Sequence, residues 1–329
     1  MSGAQNPAMS VIIAADHYDA IRRTMRHLAT QRARNRLEIL IVTPAEATLG
    51  LDSADVAGFA CVRVIEVPTI FPLALALAAG VRQASAPIVA FAESHAYPGP
   101  GWAERLIEAH RQPWAGVAPM IGNANPETLV SWANLFIDYG RFVEPISGGA
   151  VDYLPGHNSS YKRDLVLEYD SELEALMEAE ILLHGALRMR GHELYLDSTI
   201  RTLHLNITRW ASWLPERFYT GRRFAAARAL GWPAWRRLLY ALAAPLIPLI
   251  RLPRVLRDIR GSTRDDLLPA ILPPIVVGLV VSAIGEGAGY ALGAGDASVR
   301  LARMELHKVR HVTERDQRGL DALLPARTV

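Results

Sequence analysis

The sequence predicts an α/β fold: a mostly parallel sheet flanked by helices, followed by a helical, membrane-associated C-terminal region. Three observations carry this. Apolar β-rich runs alternate with segments of helical period, the pattern of parallel strands joined by crossover helices. The run Ile88, Val89, Ala90, Phe91 is apolar without a break, as a central strand covered on both faces should be. Past Pro215 the chain turns rich in Arg, Trp, Leu and Pro, and then gives the uncharged stretch Leu267 to Gly285.

At 329 residues the chain is long enough for a full α/β domain plus an appendage. Half of it is hydrophobic, which is high for a purely soluble protein. The lone cysteine, Cys61, rules out an intramolecular disulfide and fits a reducing compartment. Met1 to Ala8 is polar with no basic leader, so no secretory signal is expected. The net charge is only +2, but it is unevenly spread: Pro215 to Arg264 holds eleven arginines against Glu216 and Asp258. Interleaved with apolar residues, that belt suits anionic lipid. No matching basic face elsewhere points to nucleic acid.

In order, Met9 to Ala15 reads as a first buried strand, and Asp16 to Gln31 as a helix with Ile21, Met25 and Leu28 on one face. Leu37 to Val42 and Cys61 to Val67 are strands, and Leu73 to Ala84 is an Ala/Leu-rich helix. After the central strand come a helix from Gly101 to His110, a strand from Trp114 to Ile121 and a helix from Pro126 to Tyr139 with Pro in its first turn. Val151 to Leu154 is a short strand, and Glu172 to Arg190 a long helix stopped by Gly191. Leu194 to Leu196 is a strand, with His204 in the segment Thr199 to Asn206.

The chemistry gathers where the central strand ends. Glu93 and His95 stand two residues apart, so in extended chain they point the same way and could hold one divalent cation. Ligands in open α/β sheets collect outside that carboxyl end. Pro98-Gly99-Pro100-Gly101-Trp102 follows as a turn. The polar turn Pro155 to Arg163 offers Asn158 and hydroxyls as hydrogen-bonding groups, and Lys162 or Arg163 to an anionic group.

Glu93-Ser94-His95 followed by Pro98-x-Pro100-Gly101-Trp102 resembles family 2 glycosyltransferases of the GT-A fold, where Asp-x-Asp stands in place of Glu-Ser-His. The resemblance spans roughly residues 9 to 206 and implies a GT-A-like transferase domain. It implies a divalent metal, Mn or Mg, held by Glu93 and His95 with His204. It implies a general base at Glu180, counted back from Gly191, with Glu178 next. A carboxylate can serve as base if its site desolvates it enough. Gly156-x-Asn158 resembles the family's acceptor-side loop, which adds His157, Asn158 and Arg163 as binding residues, with Trp102 from the Pro-Gly-Trp turn. The family's nucleobase-reading Asp is replaced by Thr43 in Thr43-Pro44-Ala45-Glu46, leaving Asp16, Glu46 or Asp52 as substitutes. In the helix after the third strand Gly80 matches the family, while Ala78 stands where Asn is usual.

Leu238 to Ile250 is apolar but short, broken by Pro245 and Pro248, and reads as interfacial. Leu267 to Gly285 is nineteen residues without a charge, about 28 Å as a helix, and reads as a single span or one arm of a re-entrant hairpin. Its regular helix is expected from Pro274, with the glycines from Gly285 ending it. The expected organisation is a transferase domain over 1–214, Arg-rich interfacial helices over 215–264, an apolar membrane segment over 265–295 and a basic tail over 296–329. The implied function is inverting transfer of a sugar from a nucleotide-sugar donor to a lipid-linked or membrane-proximal acceptor. The transferase domain would face the cytoplasm at an anionic membrane, with a homo-oligomer left open. The alternative is a non-catalytic GT-A-fold scaffold at the membrane, which the altered Asp-x-Asp favours.

Overall fold

A computed structural model of the chain describes residues 6–156 and 158–323. They divide into two compact units. The first holds the chain up to Gly122, Ser147–Leu203 and Leu323; the second holds Asn123–Ile146 and His204–Ala322. The division therefore does not fall at one point near residue 214: an internal segment joins the C-terminal helices.

The first unit is built on a mixed sheet. Four strands are parallel in the order β3 (Cys61–Glu66), β2 (Leu37–Thr43), β1 (Met9–Ala14), β4 (Ile88–Ala92). Met9 stands opposite both Leu37 and Ile88, so the three inner strands start level. Every residue of β1 and β2 is buried, which explains their unbroken apolar runs. Two of their three polar residues satisfy each other, Ser10 Oγ donating to Glu38 Oε2 at 2.5 Å, and the Ser85 amide also bonds that oxygen at 2.8 Å.

The other half is largely antiparallel. β8 (Ser160–Lys162) runs against β4 and against β6 (Gly116–Asn123). Beyond β6 come β9 (Leu194–His204) and β5 (Ala96–Pro98), and β7 (Gly149–Val151) pairs with β9. The strand expected over 194–196 runs on to His204, because Leu194, Leu196, Ile200 and Thr202 keep an inward alternation through the polar middle.

Helices α1 (Tyr18–Ala29), α2 (Glu46–Leu49), α3 (Leu73–Gln83), α4 (Trp102–Ala109), α6 (Arg163–Leu167), α7 (Leu173–Glu178) and α8 (Glu180–Met189) complete this unit. α1 buries Ile21, Met25 and Leu28 as their spacing requires. The long helix expected over 172–190 is broken: Ala179 is extended, at φ −144° and ψ 95°, and α8 restarts at Glu180.

The second unit is helical: α5 (Leu129–Tyr139), α9 (Trp210–Arg228), α10 (Ala234–Ala243), α11 (Ile247–Gly261), α12 (Leu268–Leu292), α13 (Ala297–Leu306) and α14 (Glu314–Ala322). α5 begins after Thr128, whose hydroxyl caps the Ser131 amide, rather than at Pro126. α12 is longer at both ends than expected. Pro269 sits in its first turn, where a missing N–H costs nothing. Gly285 and Gly289 do not end it, because they serve contact with α9. A Cβ on Gly285 would overlap the Phe218 carbonyl, and one on Gly289 the Arg222 carbonyl. Two 28-residue helical stretches, Ala234–Gly261 and Asp265–Leu292, are long and apolar enough to cross a membrane.

Candidate active site

The carboxyl ends of β2, β1 and β4 form one edge. The register sets Ala14 beside Val42 and Ile13 beside Ala92, so Thr43 and Glu93 each follow directly on that line, with Asp16 in the turn after β1. The chain leaves β1 for β2 on one side, while β4 lies on the other. A strand order that reverses in this way opens a crevice at the strand ends.

Glu93 and His95 lie in the turn after β4, not in extended chain. They still converge: Glu93 Oε2 is 3.3 Å from His95 Nε2, with the His95 side chain buried. The turn is fixed from behind, since Thr24 of α1 donates its hydroxyl to the Glu93 carbonyl at 2.8 Å. Ser94 Oγ lies 3.3 Å from His95 Nδ1 and helps hold the ring. Farther on, Gln31 Nε2 donates to the Gly99 carbonyl at 3.1 Å, and the Gly99 amide donates to the Arg201 carbonyl at 2.9 Å. The Pro-Gly turn is thus clamped between α1 and β9. Gly101, at φ +76°, takes a conformation that favours glycine.

The loop before β8 brings in the next residues. Asn158, buried, donates from Nδ2 to Glu93 Oε2 at 3.1 Å. Gly156, in the same loop, lies against α8: a Cβ there would stand 3.5 Å from Glu180 Oε2. One short loop therefore bonds Glu93 through Asn158 and passes near the buried Glu180 carboxylate at Gly156. A donor set of one carboxylate oxygen and one imidazole nitrogen at this spacing fits a divalent cation.

Behind Glu180 sits a polar pair that sequence reasoning missed. Tyr161 Oη lies 2.7 Å from His184 Nε2, and both are buried. Burial pushes His184 down to about 4, partly opposed by the Glu180 charge, so the ring is neutral at pH 7. Burial and then Glu180 raise Tyr161 well above its ordinary range. The spacing Glu180-x-x-x-His184, one helical turn, was the available signal.

Other expected residues are placed differently. Trp102 is 3 % exposed and packs in the core with Ala103, Leu106 and Ile107, so it braces the turn and does not face a ligand. Arg163 is at the wrong end of the sheet. β8 runs antiparallel to β4 with Lys162 opposite Ile88, which sets Arg163 beside the start of β4, about 17 Å of strand from Glu93. Its guanidinium Nε donates to the Val81 carbonyl at 3.3 Å, capping the end of α3, and Lys162 Nζ donates to the Gln112 carbonyl at 2.8 Å. His157 lies outside the described residues. His204, the last residue of β9, belongs to the second unit. There its Nδ1 is 3.0 Å from Asn206 Oδ1, its Nε2 is 3.4 Å from Lys308 Nζ, and its ring centroid is 4.8 Å from that of Tyr139.

A parallel sheet edge carrying a clamped acid–imidazole turn, beside a buried helix-borne glutamate, defines a transferase core of the GT-A kind. Residues 10–169 match the family model described as glycosyl transferase family 2. The protein is a glycosyltransferase. Among solved structures the chain is similar to residues 1–349 of TarS from S. aureus. The UDP complex of that protein is 15 % identical, with 85 % of this chain and 90 % of that chain covered at a TM-score of 0.47. A second TarS 1–349 structure is likewise 15 % identical over the same shares, at a TM-score of 0.48. No curated protein matches the chain.

Proposed function

We propose that the protein transfers a sugar from a nucleotide-sugar donor to an acceptor hydroxyl at a membrane surface, with inversion at the anomeric carbon. The observation that supports this reading is the loop that bonds Glu93 through Asn158 and passes near Glu180 at Gly156.

The nucleotide lies along the edge formed by Thr43 and Asp16, with its diphosphate toward Glu93 and His95. A bound divalent cation supplies charge neutralisation for the departing diphosphate. The mixed carboxylate–imidazole set suits Mn²⁺ better than Mg²⁺. Asn158 holds Glu93 in place and bonds sugar oxygens. Glu180 takes the proton of the acceptor hydroxyl as its oxygen bonds the anomeric carbon. The bond from that carbon to the diphosphate breaks, and the nucleoside diphosphate leaves with the pair of electrons. A single displacement of this kind inverts the centre. Gly156 keeps the space in front of Glu180 clear for the acceptor.

The acceptor is lipid-linked or membrane-proximal, since the chain also carries two helical stretches able to enter a bilayer and an arginine belt before and within the first of them. The transferase domain then lies on the cytoplasmic side. Calorimetry with a panel of nucleotide sugars, with and without Mn²⁺, tests the donor site. Metal-dependent binding of one nucleotide class is expected, weakened at least tenfold by Glu93→Ala. Metal-independent binding, or no binding by the folded protein, supports the scaffold reading instead.

A further inference from the structure

We infer that the protein embeds in a single leaflet of an anionic membrane through the exposed faces of α10, α11 and α12, and that α12 does not cross the bilayer. This rests on the membrane association proposed above and specifies its geometry.

Length and composition admit two spans, but packing within the second unit removes both. In the first stretch the apolar part is Leu238–Ile250, about 20 Å of helix against a hydrocarbon core of about 30 Å. It includes a 3₁₀ turn at Ala244–Leu246. Arg251, Arg254, Arg257 and Arg260 then follow along α11.

α12 is long enough, but it has only one side to offer lipid. Leu272, Val276, Val277, Val280 and Ile284 are exposed, while Ile275, Gly278, Leu279, Ser282 and Gly285 are buried. The buried side lies backbone to backbone on α9. A Cβ on Gly221 would overlap the Ser282 carbonyl, and those on Gly285 and Gly289 would overlap α9 carbonyls, so no lipid chain fits between the helices. α9 is not a membrane helix. Its Arg217 donates to both Asp138 oxygens at 2.7 Å and to Glu216, and Arg222 Nε donates to the Gly293 carbonyl. A bilayer closing around α12 would take this charged network with it, at a cost that hydrocarbon does not return.

What remains is an amphipathic assembly. Leu238, Leu239 and Leu242 of α10, Leu246 of the 3₁₀ turn, and Leu249 and Ile250 of α11 are also exposed, on helices that pack against α12. Trp235 is 68 % exposed at the start of α10, a position typical of the headgroup level. Arg228, Arg254, Arg257 and Arg260 are exposed and match anionic headgroups. An apolar face with cationic margins fits a leaflet surface rather than a protein partner.

The test uses the full chain in vesicles containing about one-third anionic lipid, a composition chosen for surface charge. In a Cys61→Ser background, Leu272→Cys, Val280→Cys and Ile284→Cys are nitroxide-labelled one at a time. Their depth is then read by collision with oxygen and with a water-soluble nickel complex. The expected result is one shallow depth for all three, within half the hydrocarbon core. A span predicts Val280 to lie about 12 Å deeper than Leu272, and that gradient overturns the inference while leaving membrane association intact. Failure to float with vesicles overturns both, and a lipid-independent dimer would identify a second copy as the occupant instead. As a second readout, replacing Arg254, Arg257 and Arg260 together by Gln is expected to weaken vesicle binding at least tenfold, and an unchanged partition counts against the inference.

Discussion

Glu180 is the residue on which turnover depends in this account. It is the first residue of α8, 5 % exposed, and within reach of the loop that carries Asn158. Glu180→Gln keeps the shape and removes the base, so kcat should fall by about 10²- to 10⁴-fold with donor affinity nearly unchanged. Isotopic transfer assays beside donor calorimetry separate the two. Two buried histidines bear on stability at the same scale. Burial holds His110 down to about 3 and His184 to about 4 in the folded chain, against about 6.5 unfolded. The unfolded state therefore binds more protons below pH 6.5. Their stabilisation is complete above that pH and is lost as pH falls toward 4. Thermal melts from pH 7 to 4 should show a falling midpoint, and His110→Gln should flatten part of the slope. An identical slope in the variant would contradict the burial argument.

At the scale of elements, α3 meets the sheet through Gly80. A Cβ there would overlap the Ile12 side chain of β1. Gly80→Ala improves helix propensity by about 1 kcal/mol, yet overpacking costs about 1–3 kcal/mol. Denaturant titration should therefore show a net loss, and a gain would mean that helix and sheet are less closely packed than described. The parallel half of the sheet was legible because fully buried strands read as continuous apolar runs. The acid–imidazole turn was legible because its position relative to β4 is local. Arg163 was misread because its placement depends on the antiparallel pairing of β8 with β4, a long-range register that no local pattern reports. Trp102 was misread because a large aromatic beside a turn looks the same whether it faces a ligand or the core. The break at Ala179 left no Pro or Gly mark, since an alanine holds the extended conformation there and tertiary packing overrides its helix propensity.

At the scale of the whole molecule, composition separated a catalytic part from a basic, apolar part, and contacts draw the line elsewhere. Asn123–Ile146 joins the C-terminal helices because α5 packs against α12. The glycines of α12, read from sequence as an ending, are close contacts to α9 that only the fold reveals. Replacing Gly285 with Leu should unfold or loosen the second unit, because the opposing atom is a backbone carbonyl that cannot move aside. Limited proteolysis with mass mapping should then report new cleavage within 204–322, and an unchanged pattern would contradict the packing. The arginine belt also makes vesicle binding salt-sensitive: raising ionic strength from about 0.1 to 1 M shortens screening from about 10 to 3 Å and should weaken the partition strongly.

The most direct measurement is sugar transfer by the full chain from each of a panel of nucleotide sugars, with Mn²⁺ present or chelated, compared across wild type, Glu93→Ala and Glu180→Gln. One donor should support Mn²⁺-dependent turnover in the wild type, with Glu93→Ala losing donor affinity and Glu180→Gln losing only the chemical step. Undiminished turnover in both variants, while each remains folded, would contradict the assignment of the site.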